Sequence, residues 1–149
     1  MPHEMTPVRL GEPLSSDVTV VLSPLPQDQP RPEPPVSAFV VAAFGGGVSV
    51  STSVKYADEG FDRFLDGLAE DFHGWEGERV WRSRDHTFGV SATHHSGGHV
   101  RLLWTLRDSA VPPSWEFTAA TVVRAGEDMR ALATETGVFL TRIGLAAWG

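Results

Sequence analysis

Three histidines, His94, His95 and His99, lie close together in the sequence. Imidazole nitrogens are common ligands of Zn²⁺ and Ni²⁺, so metal chemistry is the first activity to consider. Strand alternation predicts that His95 and His99 are neighbours on one face of a β-hairpin and that His94 points to the other face. A metal site normally needs a third ligand, and this hairpin has no Asp or Glu to provide one. His95 and His99 are therefore weak metal candidates, and a solvated hairpin end with titrating histidines is the simpler interpretation.

Two other segments have residue types found in catalytic or cofactor sites. Ser83, Asp85 and His86 are the types of a hydrolytic triad, but triad members converge from separate elements, and three residues of one turn cannot do so. The run Gly45-Gly46-Gly47 lacks the helix and lysine that follow a phosphate-binding loop. We interpret both segments as turns between strands, and we expect no enzymatic activity and no cofactor.

A third group is acidic and lies on a predicted helix. Asp62, Asp66 and Glu70 recur at every fourth residue, which places them on one helix face. Like charges at this spacing oppose one another by about 0.2–0.5 kcal/mol per pair. Glu70 also lies near the helix C-terminus, where the helix dipole disfavours negative charge. A solvated acidic face explains this pattern, and a docking surface for a basic partner is the functional alternative.

The opposite face of the same helix is apolar and predicts what the helix covers. The apolar positions follow the period of an α-helix: Phe61, Phe64, Leu65, Leu68, Ala69 and Phe72. Asp58 is the predicted N-cap, and Gly74 is the predicted stop. This stripe should pack on a β-sheet.

Strands are predicted on both sides of this helix, where apolar and polar residues alternate. The predicted strands are Val8–Leu10, Asp17–Ser23, Ser37–Phe44, Val48–Tyr56, Glu78–Ser83, Thr87–His95, His99–Arg107 and Trp115–Val123. A three-residue loop, Ser96-Gly97-Gly98, matches the buried faces of the two strands around it and sets Val90 opposite Trp104. A second helix is predicted over Gly126–Thr136 and should end at Gly137.

These elements predict one α+β domain over residues 1–149. We expect a mainly antiparallel sheet of six or seven strands with two helices packed on it. Residues 24–35 hold six of the eleven prolines and should form an exposed loop.

Composition limits the classes of partner. The net charge of −7 argues against nucleic acid and anionic membranes, both of which need a basic surface. The chain has no cysteine, no apolar run as long as a membrane span and no recognisable signal peptide. We therefore expect a cytoplasmic protein with no nucleic-acid or membrane partner.

The order of features from Phe61 onward resembles a family of small bacterial proteins of uncharacterised function. The shared features are a helix of the form F-x-x-F-L-x-x-L-A, the segment GWEGERVW, strands that close on GHVRLLWTLRD, and a GEDMRALA helix. That family is similar to the WapI-type immunity proteins, which neutralise contact-dependent toxins. The resemblance implies a protein that binds and occludes a toxin nuclease without catalysis, and no functional residue is carried over from it.

Three hypotheses follow. The leading one is a non-enzymatic cytoplasmic binding protein, of the immunity-protein kind, that docks a basic toxin domain on Asp62, Asp66 and Glu70. The alternatives are a small-ligand-binding module with a pocket between sheet and helix, and a metal-dependent enzyme that uses the histidine cluster. Exposed strand edges also leave a homodimer open.

Overall fold

The computed structural model describes residues 6–148, with side chains through residue 145, so the ends of the predicted 1–149 domain lie outside the described residues. In chain order the elements are β1 (Val8–Arg9), β2 (Glu12–Pro13), β3 (Thr19–Pro24), β4 (Ser37–Gly45), β5 (Val48–Tyr56), α1 (Phe61–Glu70), β6 (Glu78–Arg82), β7 (Phe88–His95), β8 (His99–Arg107), β9 (Glu116–Arg124) and α2 (Glu127–Trp148). The α+β class is confirmed.

The strands form two antiparallel sheets, so the prediction of one sheet with six or seven strands was wrong. One sheet has four strands in the order β1-β3-β4-β5, and the other has five in the order β2-β9-β8-β7-β6. The chain passes from one sheet to the other between β1 and β2, at the fully buried Leu10. The Leu10 N–H donates to the carbonyl of Val20, and the Leu10 carbonyl accepts from the Thr121 hydroxyl. Alternation identifies which face of a strand is buried but not which strand is its neighbour, and for this reason the division was missed.

The predicted hairpin register is confirmed. β7 and β8 pair so that Val90 lies opposite Trp104 and His95 lies opposite His99. Shifting the register by one residue would turn every buried side chain of one strand to the solvent face. Burial of Val90 and Trp104 on one face therefore determines this pairing.

One hydrophobic core joins both sheets and both helices. Phe39 of β4 has its ring centroid 6.1 Å from Phe88 of the second sheet and 5.9 Å from Phe139 of α2. Phe61 of α1 lies 5.4 Å from Phe88 and 6.1 Å from Trp104, measured between ring centroids. Edge-to-face contacts of this kind add about 0.5–1.5 kcal/mol per pair to the burial of the rings.

The ends of α1 differ from the prediction. The N-cap is Gly60, which has a left-handed φ of 81° and no side chain, so Asp58 is not the cap. Asp58 instead pairs with Arg63 at 3.2 Å. The helix ends at Glu70, before the predicted stop at Gly74, and Phe72 is consequently 49% exposed rather than part of the buried stripe.

The second helix continues through its predicted stop. α2 spans 22 residues and includes Gly137. A glycine in a helix interior costs about 1 kcal/mol relative to alanine, whereas each fully buried large apolar side chain contributes about 1.5–3 kcal/mol. Phe139, Leu140 and Ile143 beyond the glycine are all buried, so their packing outweighs the cost.

The proline-rich segment is shorter than predicted. Pro24 is the last residue of β3 and lies opposite Phe39 in the ladder, while Leu25 is buried. The residues from Pro26 to Pro35 are mostly exposed and belong to no strand or helix. The loop prediction therefore holds from Pro26 onward. Within residues 6–148, no helix combines the length and apolar character needed to cross a membrane.

Candidate partner-binding site

The predicted acidic residues divide between a groove and the helix end. Asp62 and Asp66 face α2 and line a groove between the two helices. Asp66 forms a salt bridge with Arg130 of α2 at 3.2 Å. Glu70, at the last position of α1, is exposed and does not line the groove. The structure therefore brings Asp62 and Asp66 together at one site and leaves Glu70 outside it.

The opposite wall of this groove comes from α2. Val138 and Leu145 line it and are 48% and 67% exposed, so the α2 wall presents an apolar strip to solvent. The groove has a volume of about 590 Å³. An ideal Cβ at Gly137 would lie 4.0 Å from the Cβ of Asp62, so the missing side chain of Gly137 keeps the floor of the groove open.

A second groove of about 440 Å³ begins where the first one ends. Asp62 and Thr141 line both grooves, and the second continues past Leu140 to Ser37 and Tyr56 at the end of the four-stranded sheet. Together they form one elongated, open surface, which we call the helical groove.

The charge of the helical groove is acidic near α1. Among the described residues, no basic group forms a salt bridge with Asp62 within 4.0 Å. Arg63 of α1 pairs with Asp58, and Arg130 of α2 pairs with Asp66. Arg142 of α2 lines the first groove and supplies positive charge on the far wall. The helical groove thus presents one uncompensated carboxylate, Asp62, two paired carboxylates, Asp58 and Asp66, and an apolar strip.

Sequence reasoning missed the α2 side of the site. Val138, Arg142 and Leu145 all follow Gly137, at which the second helix was predicted to stop. The signal that was available is the apolar period, which continues from Leu132 and Ala133 to Phe139 and Leu140.

The three histidines do not converge. His95 and His99 are opposite each other on β7 and β8, and His95 Nε2 lies 3.0 Å from the Thr93 hydroxyl. His94 lies on the other face, with its ring 5.4 Å from Trp75. Across residues 6–148, no three His, Asp or Glu side chains are placed to share a metal ion. The metal-dependent enzyme therefore gains no support from the geometry.

Ser83, Asp85 and His86 form a structural turn. The Ser83 hydroxyl donates to Asp85 Oδ1 at 2.7 Å, and the Thr87 hydroxyl donates to the same oxygen at 2.8 Å. Ser83 is only 1% exposed, whereas His86 is exposed and its backbone has a φ of 63°. Because the serine bonds directly to the carboxylate and is closed to solvent, this segment has no nucleophile–base pair.

Among residues 6–148, two ionisable groups have displaced pKa values. Burial raises the pKa of the Tyr56 hydroxyl, which accepts a hydrogen bond from the Phe61 N–H at 3.1 Å and lies at the end of the helical groove. A hydrogen bond from the Ser114 hydroxyl lowers the pKa of the exposed Asp108 carboxyl. Asp108 bonds to Ser114 within its own loop and does not line the helical groove.

Comparison with known protein families identifies the family of this chain. The model of a family of unknown function, DUF6228, matches residues 15–143. The chain belongs to this family. No curated protein and no solved structure matches it.

The DUF6228 match includes the α1 side of the groove. Asp62 and Asp66 lie inside the matched range, as do Val138 and Arg142, whereas Leu145 lies beyond it. The family has no known function, so the match does not discriminate among the three hypotheses. The resemblance to WapI-type immunity proteins stays a prediction.

Proposed function

We propose that this protein is a non-enzymatic binding protein that holds a basic segment of a partner protein in the helical groove. The observation that supports this most directly is the combination of the Asp62 and Asp66 carboxylates with the exposed Val138 and Leu145 on facing helices. Carboxylates attract cationic groups, and exposed apolar side chains favour burial by a partner.

The shape of the groove favours a polypeptide over a small molecule. Small-ligand sites are usually concave and enclose most of the ligand surface. The helical groove is instead open along two connected sections that share Asp62 and Thr141. Arginine and lysine have apolar stems and charged ends, so a segment rich in them matches an apolar wall beside an acidic one.

A basic toxin domain is the partner class that we propose. The chain has a net charge of −7, and a nuclease toxin carries a basic surface for its substrate. An acidic protein that covers such a surface would neutralise the toxin without catalysis, in the cytoplasm where the toxin acts. This is the immunity-protein role that the sequence resemblance implies.

The proposal is tested with the product of a toxin gene found beside the gene for this protein. Asp62, Asp66 and Glu70 are together replaced by Lys, and the association rate is measured against ionic strength. We expect slower association at low salt and a smaller difference at high salt, because ions screen the steering charges. The control replaces the exposed Asp17, Asp28 and Glu33 by Lys, which changes the net charge equally outside the groove.

A second variant tests the groove without changing charge. Gly137→Leu places a side chain on the groove floor, where an added Cβ meets only the Asp62 Cβ at 4.0 Å. We expect faster dissociation of the partner with an unchanged salt dependence of association. If the acidic triple variant and its control associate equally fast at low salt, the binding surface is elsewhere and the proposal is wrong.

A further inference from the structure

In the part of the chain that the structure describes, three of the four sheet edges are protected against pairing with another strand. β1 and β2 have two residues each, and β2 contains Pro13, which cannot donate to a ladder. β6 has five residues, of which Glu78, Arg79 and Arg82 are charged. Short edge strands, proline and charge are the features by which natural proteins prevent edge pairing.

The fourth edge, β5, has none of these features. β5 spans nine residues with the sequence VSVSTSVKY, and its first charged residue is Lys55 near the end. Its three serines, Ser49, Ser51 and Ser53, are exposed. A long strand that is rich in β-branched residues and carries no charge over its first seven residues is a template for strand addition.

The backbone groups of these serines point to the free edge. The Lys55 N–H donates to Asp85 Oδ2 at 2.9 Å, so it points away from β4. Backbone groups alternate in direction along an antiparallel ladder, so Ser49, Ser51 and Ser53 direct theirs to the same side as Lys55. Asp85 occupies the Lys55 end, and no described strand pairs with this side of β5.

The sequence of β5 is nearly palindromic about Ser51. Antiparallel pairing of two copies centred on this residue would place Val48 opposite Val54, Ser49 opposite Ser53, and Val50 opposite Thr52, which has a similar shape. The two residues of each facing pair would then project their side chains to the same face of the joined sheet. The three serine pairs would be hydrogen-bonded ones, giving about six backbone hydrogen bonds.

We propose that β5 is the interface of a symmetric homodimer in which two four-stranded sheets join edge to edge about a two-fold axis at Ser51. The self-complementary strand identifies the partner as a second copy of this chain, because an isologous interface requires each surface to match itself. Lys55 would lie opposite Gly47 of the second copy, so no like charges meet. This dimer does not require the groove partner: of the β5 residues only Tyr56, which lies outside the near-palindromic segment Val48–Val54, lines the helical groove.

Cysteine cross-linking tests both the dimer and its register. The chain has no cysteine, so a single introduced thiol reports on one position only. In a hydrogen-bonded antiparallel pair the facing Cα atoms are about 5.5 Å apart, within disulfide reach. We expect Ser51→Cys to form a covalent dimer under mild oxidation. Ser49→Cys is the matched control, since its two copies would be about 14 Å apart along the strands and should not cross-link.

Charge placement gives a second, non-covalent test. Ser49→Lys with Ser53→Glu sets opposite charges across the axis, whereas Ser49→Lys with Ser53→Lys sets like charges there. Sedimentation equilibrium at low salt should show tighter dimerisation for the first variant, by up to about fivefold per facing pair. A monomer at all concentrations for the unmodified protein, equal cross-linking at both cysteine positions, or equal dimerisation of the two charge variants would overturn the proposal.

Discussion

At the scale of single residues, Tyr56 takes the role that the sequence suggested for Asp58. The α1 N-cap is a glycine without a side chain, so the first N–H groups of the helix need another acceptor. The Tyr56 hydroxyl, on the last residue of β5, accepts from the Phe61 N–H, and both residues are buried. The start of α1 is therefore attached to the four-stranded sheet through one side chain.

We expect Tyr56→Phe to lower the free energy of unfolding by about 1–3 kcal/mol, because the buried Phe61 N–H loses its acceptor. Urea unfolding at neutral pH measures this difference. A change smaller than about 0.5 kcal/mol would show that this bond does not stabilise the helix start.

Tyr56 also makes the stability of the folded protein depend on pH. Burial raises the pKa of Tyr56 in the folded protein, while the unfolded chain ionises near pH 10. The contribution of Tyr56 to the free energy of unfolding is fully present below about pH 10 and is lost as pH rises through the folded pKa. The stability gap between the unmodified protein and Tyr56→Phe should therefore narrow above pH 10. The chain has one tyrosine, so tyrosinate absorbance follows this group alone.

At the scale of elements, burial decides where a helix continues and local backbone preference decides little. Gly137 lies inside α2 because apolar residues on both sides of it are buried. Gly67 lies inside the shorter α1 and makes no close approach to any neighbour, since a Cβ added there would meet nothing within 4 Å. Its cost to the helix is thus not offset by any packing requirement.

Gly67→Ala should raise the free energy of unfolding by about 0.5–1 kcal/mol through the loss of glycine flexibility in a helix interior. Gly77→Ala is the control, since it also has open space but has a left-handed φ of 75°. That change should destabilise the protein by about 1–2 kcal/mol. Denaturant titration of both variants checks the signs, and destabilisation by Gly67→Ala would mean that α1 is strained at this position.

At the scale of the whole molecule, the N-terminal segment joins the two sheets. β1 extends one sheet and β2 extends the other, and the buried Leu10 bonds to both through its backbone. Gly11 follows with a φ of 92°, and a Cβ there would lie 2.9 Å from the Thr121 hydroxyl oxygen, so only glycine fits the crossing. The proline-rich loop, by contrast, joins β3 and β4, which are neighbours in the same sheet, and does not pass between the two sheets.

Deletion of Gln27 to Pro34 should leave the fold intact and change the melting temperature by less than about 4 °C, because loop-closure entropy depends weakly on length. The control deletion starts at Leu25, which is buried, and should lower the melting temperature clearly. Thermal unfolding of both variants makes the comparison. Equal loss of stability in the two would show that the exposed residues of the loop also hold the fold together.

The sequence alone determined the elements whose evidence is local. Alternation and turn residues predicted the strands and the β7–β8 register, because burial of one face allows a single alignment. The apolar period predicted α1 and placed Asp62 and Asp66 on one face of it. Only the tertiary structure decided the division into two sheets, the passage of α2 through Gly137 and the groove that α2 forms with Asp62. These features depend on contacts between residues distant in the chain, and the free energy of those contacts outweighs the local preferences that a sequence displays.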